Sequence, residues 1–169
     1  MKKTLLPTLG FIMLLAVGGF SQKFGYLNSV ALLAELPEVK QADSNLKAFQ
    51  TQLTKRGQEM VKELQDKAAE LERKKELGTI SPKDYQDQAA KLQEEETKIA
   101  SYEKEVYDKL AKKREEEYKP ILDRVNTAMQ DVAKENGFFM VFDSGSQILL
   151  YGDQSLDVTP LVKAKLGIK

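Results

Sequence analysis

Two long stretches with apolar residues three or four apart, separated by a single five-residue interruption, constrain this chain more than any other feature. From Glu38 to Leu77 the large apolar residues are Val39, Leu46, Phe49, Leu53, Met60, Val61, Leu64, Leu71 and Leu77. That spacing puts most of them on one helical face, and Lys, Glu, Gln and Ala, all good helix formers, fill most of the other positions. Periodicity stops at Gly78-Thr79-Ile80-Ser81-Pro82. Gly78 suits a helix C-terminus, Ser81 an N-cap and Pro82 the first helical position, and Asp84 completes a capping-box pattern. A second helix is predicted from Pro82 to Asn136-Gly137, with Tyr85, Leu92, Ile99, Tyr102, Val106, Leu110, Ile121, Val125, Met129 and Val132 as its stripe. Pro120 interrupts it, predicting a kink or short break near Glu116 to Lys119.

Folding the helices back at the tip pairs residues whose numbers sum to about 159 or 160. The hairpin seam then contains Phe49, Leu53 and Met60 facing Leu110, Val106 and Ile99. Gly57, which costs about 1 kcal/mol relative to Ala inside a helix, falls opposite Tyr102, and the expectation is that it makes room for that ring. A helix of this length projects about 60 Å, so the hairpin has one thin seam and no second layer. Apolar steps of 3,4,3,4 from Val39 to Leu53 lengthen to 4,3,4,4,3 through Leu71, which argues against strong left-handed supercoiling along the whole arm.

The flanks read differently. Phe24 to Asn28 is a candidate strand and Ser29 to Leu36 a short helix. After Gly137, Phe138 to Phe142 has the aromatic and β-branched content of a strand, Asp143 to Ser146 reads as a turn, and Gln147 to Tyr151 as a returning strand. Thr159, as N-cap before Pro160, opens a short terminal helix. Three short strands bury little core, so free edges and apolar faces are expected to be covered by other copies of the chain. Phe24, Tyr26, Phe138, Val141, Phe142 and Leu150 are the candidates for that oligomeric body. The fold class is α+β. Residues 38–119 form a helical hairpin arm with its tip at 78–82, and residues 22–37 with 120–169 form a small β body with short helices.

Residues 1–21 read as a targeting segment. Lys2 and Lys3 precede the apolar stretch Leu5 to Phe20, and Gly19-Phe20-Ser21 is a small-x-small cleavage pattern. The stretch is shorter than the ~20 residues of a spanning helix and is interrupted by Pro7, Gly10, Gly18 and Gly19. Cleavage after Ser21 leaves an exported chain with 24 basic and 26 acidic residues.

Composition narrows function by exclusion. The chain has no His, Cys or Trp, and 26 Lys+Arg balance 26 Asp+Glu. Cys/His zinc sites, disulfides, thiol nucleophiles and imidazole-dependent triads are ruled out. Zero formal charge argues against nucleic-acid binding. Glu94-Glu95-Glu96 and Glu115-Glu116-Glu117 point in successive directions on an exposed helix, so they build neither an acid/base pair nor a metal shell. The residues identify no enzyme, metal or cofactor.

Several segments, in order, resemble one family: Phe24-Gly25-Tyr26-Leu27-Asn28-Ser29, Leu36-Pro37-Glu38-Val39, Pro120-Ile121-Leu122, Ala133 to Phe138, Val141-Phe142-Asp143, Leu150-Tyr151 and Asp157-Val158-Thr159. Their arrangement around a charged hairpin resembles the Skp/OmpH family of periplasmic chaperones along essentially the whole mature length. The resemblance implies a homotrimer with a shared β-barrel body, and three arms around a cavity that holds unfolded outer-membrane proteins without ATP. It departs in charge: family members are markedly basic, whereas Glu38 to Lys119 holds 18 basic and 19 acidic residues. That balance argues against a lipopolysaccharide or anionic-membrane site. Val61, Ile80, Tyr85 and Tyr107 lie off the seam or at the tip and are the candidates for client contact. A structural coiled-coil scaffold of the envelope is the competing reading, since it would use the same helices without a cavity.

Overall fold

The computed structural model describes residues 22–146 and 148–168, so the expected targeting segment, residues 1–21, lies outside the described residues. Strand β1 (Lys23–Leu27) leads into helix α1 (Ser29–Glu35). The long helices α2 (Pro37–Glu76) and α3 (Pro82–Glu135) follow, then strand β2 (Phe138–Asp143) and helix α4 (Thr159–Leu166). β1 and β2 form a two-stranded parallel sheet, with Gly25 beside Val141 and Tyr26 beside Phe142. Parallel strands need a crossover connection, and here the whole hairpin supplies it.

Local chemistry sets each boundary. Asn28 caps α1 by accepting the Ala31 N–H at 2.9 Å. Leu36 is extended, as the residue before a proline prefers, and Pro37 opens α2. At the tip Gly78 adopts φ 65°, while the N–H groups of Gly78 and Thr79 return to the carbonyls of Lys75 (3.0 Å) and Lys74 (2.9 Å). This left-handed closure satisfies the last carbonyls of α2. Ser81 then caps α3, accepting the Asp84 N–H at 3.1 Å and donating its hydroxyl to the Asp84 carboxylate at 2.6 Å.

The core sits at the base of the hairpin. Leu27, Leu32, Leu36, Val158 and Val162 are fully buried there, against Val125 and Val132 of α3. Only Leu53 and Leu71 are buried farther along the arm. β1 is pinned on its second edge, where the Val158 N–H donates to the Tyr26 carbonyl at 2.8 Å. Gly25 is required by this packing: a Cβ there would sit 2.7 Å from Val158 Cγ1 and 3.0 Å from the Phe138 ring.

Three expectations are corrected. The returning strand expected over 147–151 is not seen among its described residues, since Ile148 to Tyr151 have no regular structure. The preceding residues make a 3-10 turn at Ser144–Ser146, in which Asp143 accepts the Gly145 N–H and the Ser146 hydroxyl donates to the Asp143 carbonyl. Gly145 does not take the positive φ that a tight two-residue hairpin demands. Leu150, assigned to that strand, is instead 96% exposed. Next, of the kink or short break expected near Glu116 to Lys119, the break does not form, and α3 continues through Pro120. Finally, Thr159 is the first helical residue of α4 rather than its cap, and its N–H is taken by the Asp157 carboxylate at 2.8 Å.

Candidate interaction surfaces on the arm and base

The arm is held by one seam and a ladder of charges. Of the seam residues, Leu53 is buried, and Phe49, Met60, Ile99, Val106 and Leu110 are half-buried. Lys67 reaches across to Glu95 at 2.7 Å, and Arg124 to Glu38 at 2.8 Å. Asn45 donates to Glu117 at 3.0 Å, and Tyr118 donates to Asp43. The hydrogen bond from Lys113, with that from Asn45, holds the Glu117 carboxyl below its ordinary value. These groups are largely solvated, so each pair contributes little to stability.

Halfway along the arm the seam opens. The Tyr102 ring lies over Gly57, where a Cβ would come 3.5 Å from its Cε1, and the Tyr102 hydroxyl donates to the Leu53 carbonyl at 3.1 Å. The glycine therefore does seat the ring. Beside this pair runs a groove of about 570 Å³ whose lining includes Val61, Tyr107, Ile99 and Val106. Val61 is 40% and Tyr107 76% exposed.

The four candidates for client contact thus separate into two places. Val61 and Tyr107 share the mid-arm groove, whereas Ile80 and Tyr85 lie at the tip and are half-buried. Tyr85 already has partners: its hydroxyl donates to Glu72, and the Lys75 ammonium lies 4.5 Å above its ring. Sequence reasoning did not connect Gly57 and Tyr102 to the off-seam residues. The available signal was that Val61 lies one turn after Gly57.

At the base, Phe24 meets Phe139 edge to face at 6.2 Å between centroids and Phe142 at 6.3 Å. All three are at least 39% exposed. A groove of about 450 Å³ passes between this aromatic patch and α3, lined by Leu122, Met129, Phe138 and Val141 among others. Tyr26 is half-buried and packs on Gly152, where a Cβ would stand 2.5 Å from the ring. Among the described residues, no cluster of three or more acidic side chains could hold a metal ion, and no helix is long and apolar enough to cross a membrane.

The two-helix arm on a small base has a solved counterpart. A candidate OmpH-like outer membrane chaperone from Caulobacter crescentus superposes with a TM-score of 0.75 at 19% identity, over 86% of this chain and 83% of that one. At that identity the likeness shows the shared fold. A comparison with curated proteins gives no match. Residues 23–166 match the family described as "Outer membrane protein (OmpH-like)", and the chain belongs to that family.

Proposed function

We propose that this protein is an ATP-independent periplasmic holdase. It binds unfolded outer-membrane proteins in a cavity between helical arms and keeps them from aggregating. The carrying observation is the division of labour along the chain: the buried core is concentrated at the base, while a long, solvated arm presents a few large apolar side chains. Holding a client needs accessible apolar surface and a soluble frame, and no catalytic group. Family membership and the fold it shares with the Caulobacter protein support the reading.

Assembly as a homotrimer is part of the proposal. The exposed aromatic patch at the base and the exposed Ile148, Leu150 and Tyr151 support it, because apolar surface of this kind is normally covered by a partner. Leu150, Ile148 and Tyr151 are then covered by another copy.

The test dilutes an unfolded outer-membrane barrel protein from urea into the purified mature chain, without nucleotide, and follows light scattering alongside native mass. A trimer that suppresses scattering supports the holdase and separates it from an envelope scaffold. A monomer that leaves aggregation unchanged refutes it. Converting Val61, Ile80, Tyr85 and Tyr107 together to Ala should abolish suppression, and full retained activity would remove these four as the contact residues.

A further inference from the structure

The mid-arm groove is chemically unlike the rest of the arm. Of its twelve lining residues only Lys62 and Glu103 are charged, and Lys62 is tied to Asp66 at 2.9 Å. Nearer the tip, the next groove between the helices is lined by eight residues, five of them charged: Lys67, Glu70, Lys74, Lys91 and Glu95. Exposure separates the two regions as well. The large hydrophobic residues exposed on the arm are Val61, Leu77 and Tyr107, and two of these three line the one groove.

We propose that this groove is a docking site for an extended, uncharged segment of a foreign chain bearing aromatic or branched side chains at alternate positions. The inference rests on the holdase reading and gives it a place and a specificity. Length supports an extended occupant. The lining on α2 runs from Leu53 to Gln65, about 18 Å of helix axis, which accommodates five or six residues of extended chain with roughly three side chains on one face. A docked helix would need a longer apolar track, and the charged groove beyond Gln65 cuts the track short; helices of so few residues are marginal in water.

Charge selects the occupant further. A near-neutral lining neither attracts nor compensates charged side chains, so placing one there incurs desolvation without a partner. Thr54, Gln58 and Gln65 line the α2 side, offering both donors and acceptors to the unpaired N–H and C=O groups of an extended backbone. Another arm of the same protein is a poor occupant, because beyond the groove its only exposed large hydrophobic residue is Leu77 at the tip.

The experiment uses the full mature chain and a fluorescein-labelled ten-residue peptide alternating Tyr, Phe or Val with Ser, Thr or Gln. Binding is read by anisotropy, together with native mass and suppression of barrel-protein aggregation. Val61→Ser with Tyr107→Ser should weaken peptide binding roughly tenfold, as loss of a central aromatic anchor does, and Leu77→Ser should leave it unchanged. Both groove side chains are exposed, so the double variant should fold, and circular dichroism checks that it does. A peptide of the same composition rearranged to helical spacing should bind more weakly than the alternating one. Unchanged affinity in the double variant overturns the groove while leaving the holdase reading in place if aggregation is still suppressed. Peptide binding lost in the double variant, with a wild-type chain that suppresses no aggregation, upholds the groove and removes the holdase. A change in native mass without a change in peptide affinity makes the groove a contact between copies and overturns the proposal.

Discussion

Replacing Gly57 tests the arm's geometry with two substitutions of nearly equal helix propensity and very different size. In Gly57→Ala the new Cβ sits 3.5 Å from Tyr102 Cε1, an ordinary van der Waals contact. The variant therefore keeps the ring in place and gains roughly 0.5–1 kcal/mol from propensity and reduced unfolded-state entropy. In Gly57→Leu the additional carbons occupy the space of the ring. Tyr102 must swing out, losing its bond to the Leu53 carbonyl, a loss of about 1 kcal/mol, with further loss from the exposed ring. The propensity gain is thereby cancelled or exceeded. Thermal unfolding followed by circular dichroism at fixed protein concentration should show Ala raising Tm by about 2–4 °C per kcal/mol gained, and Leu falling clearly below Ala. Adding Tyr102→Ala should close most of the gap, because the ring is then no longer displaced. If Ala and Leu raise Tm equally, the ring does not depend on Gly57 and the reasoning fails.

Three further outcomes follow from other parts of the chain. Gly152→Ala places a Cβ 2.5 Å from the Tyr26 ring, and such overpacking should lower stability by about 1–3 kcal/mol in urea titrations. Partial burial pushes the Asp143 carboxyl up, but hydrogen bonds from the Ser29 hydroxyl, the Ser29 N–H and the Gly145 N–H outweigh it and hold it below its ordinary value. The clasp between β2 and α1 is therefore fully present above the usual Asp range near ~3.9 and is lost as pH falls through the lower folded value. Asp143→Asn should flatten that acid-side decline, and an unchanged decline would assign it to other carboxylates. Suppression of aggregation should change little between about 50 and 500 mM salt, a range in which exposed charges become strongly screened; steep loss with salt would mean that charge, not apolar contact, holds the client.

The arm was legible because its signals are local. Periodicity near 3.6, a glycine that takes a positive φ at 78, a serine cap at 81 and a proline at 82 each act within a turn of themselves, and together they fix both helices and their register. Gly57 opposite Tyr102 followed from that register alone. The base was harder, because its pairings join residues more than a hundred positions apart. Nothing near Gly152 signals that it must lie against Tyr26, and nothing local to Leu150 says that its segment leaves the line of β2 instead of reversing along it. Apolar alternation describes a surface that needs covering, and the partner that covers it can be in the same chain or another. Pro120 does not break α3, because losing one hydrogen bond does not interrupt a helix whose Ile121 and Val125 are buried against the base.

The balance of charge on the arm has a physical role that net charge alone conceals. Glu70 pairs with Lys74 and Glu105 with Lys109 in the favourable acid-first order, while Lys62, Lys113 and Lys119 pair with acids one turn later. These same-helix pairs support helicity in a structure with almost no core of its own, and the near-equal numbers of the two signs leave little net field to steer a charged ligand from a distance. The same-helix pairs continue past the mid-arm groove, as Lys62 with Asp66 and Glu105 with Lys109, but they lie mostly outside its lining, which is mainly apolar and neutral. On the proposed holdase reading, such an arm would select by apolar surface at short range, the property that distinguishes an unfolded barrel strand from folded, charged proteins.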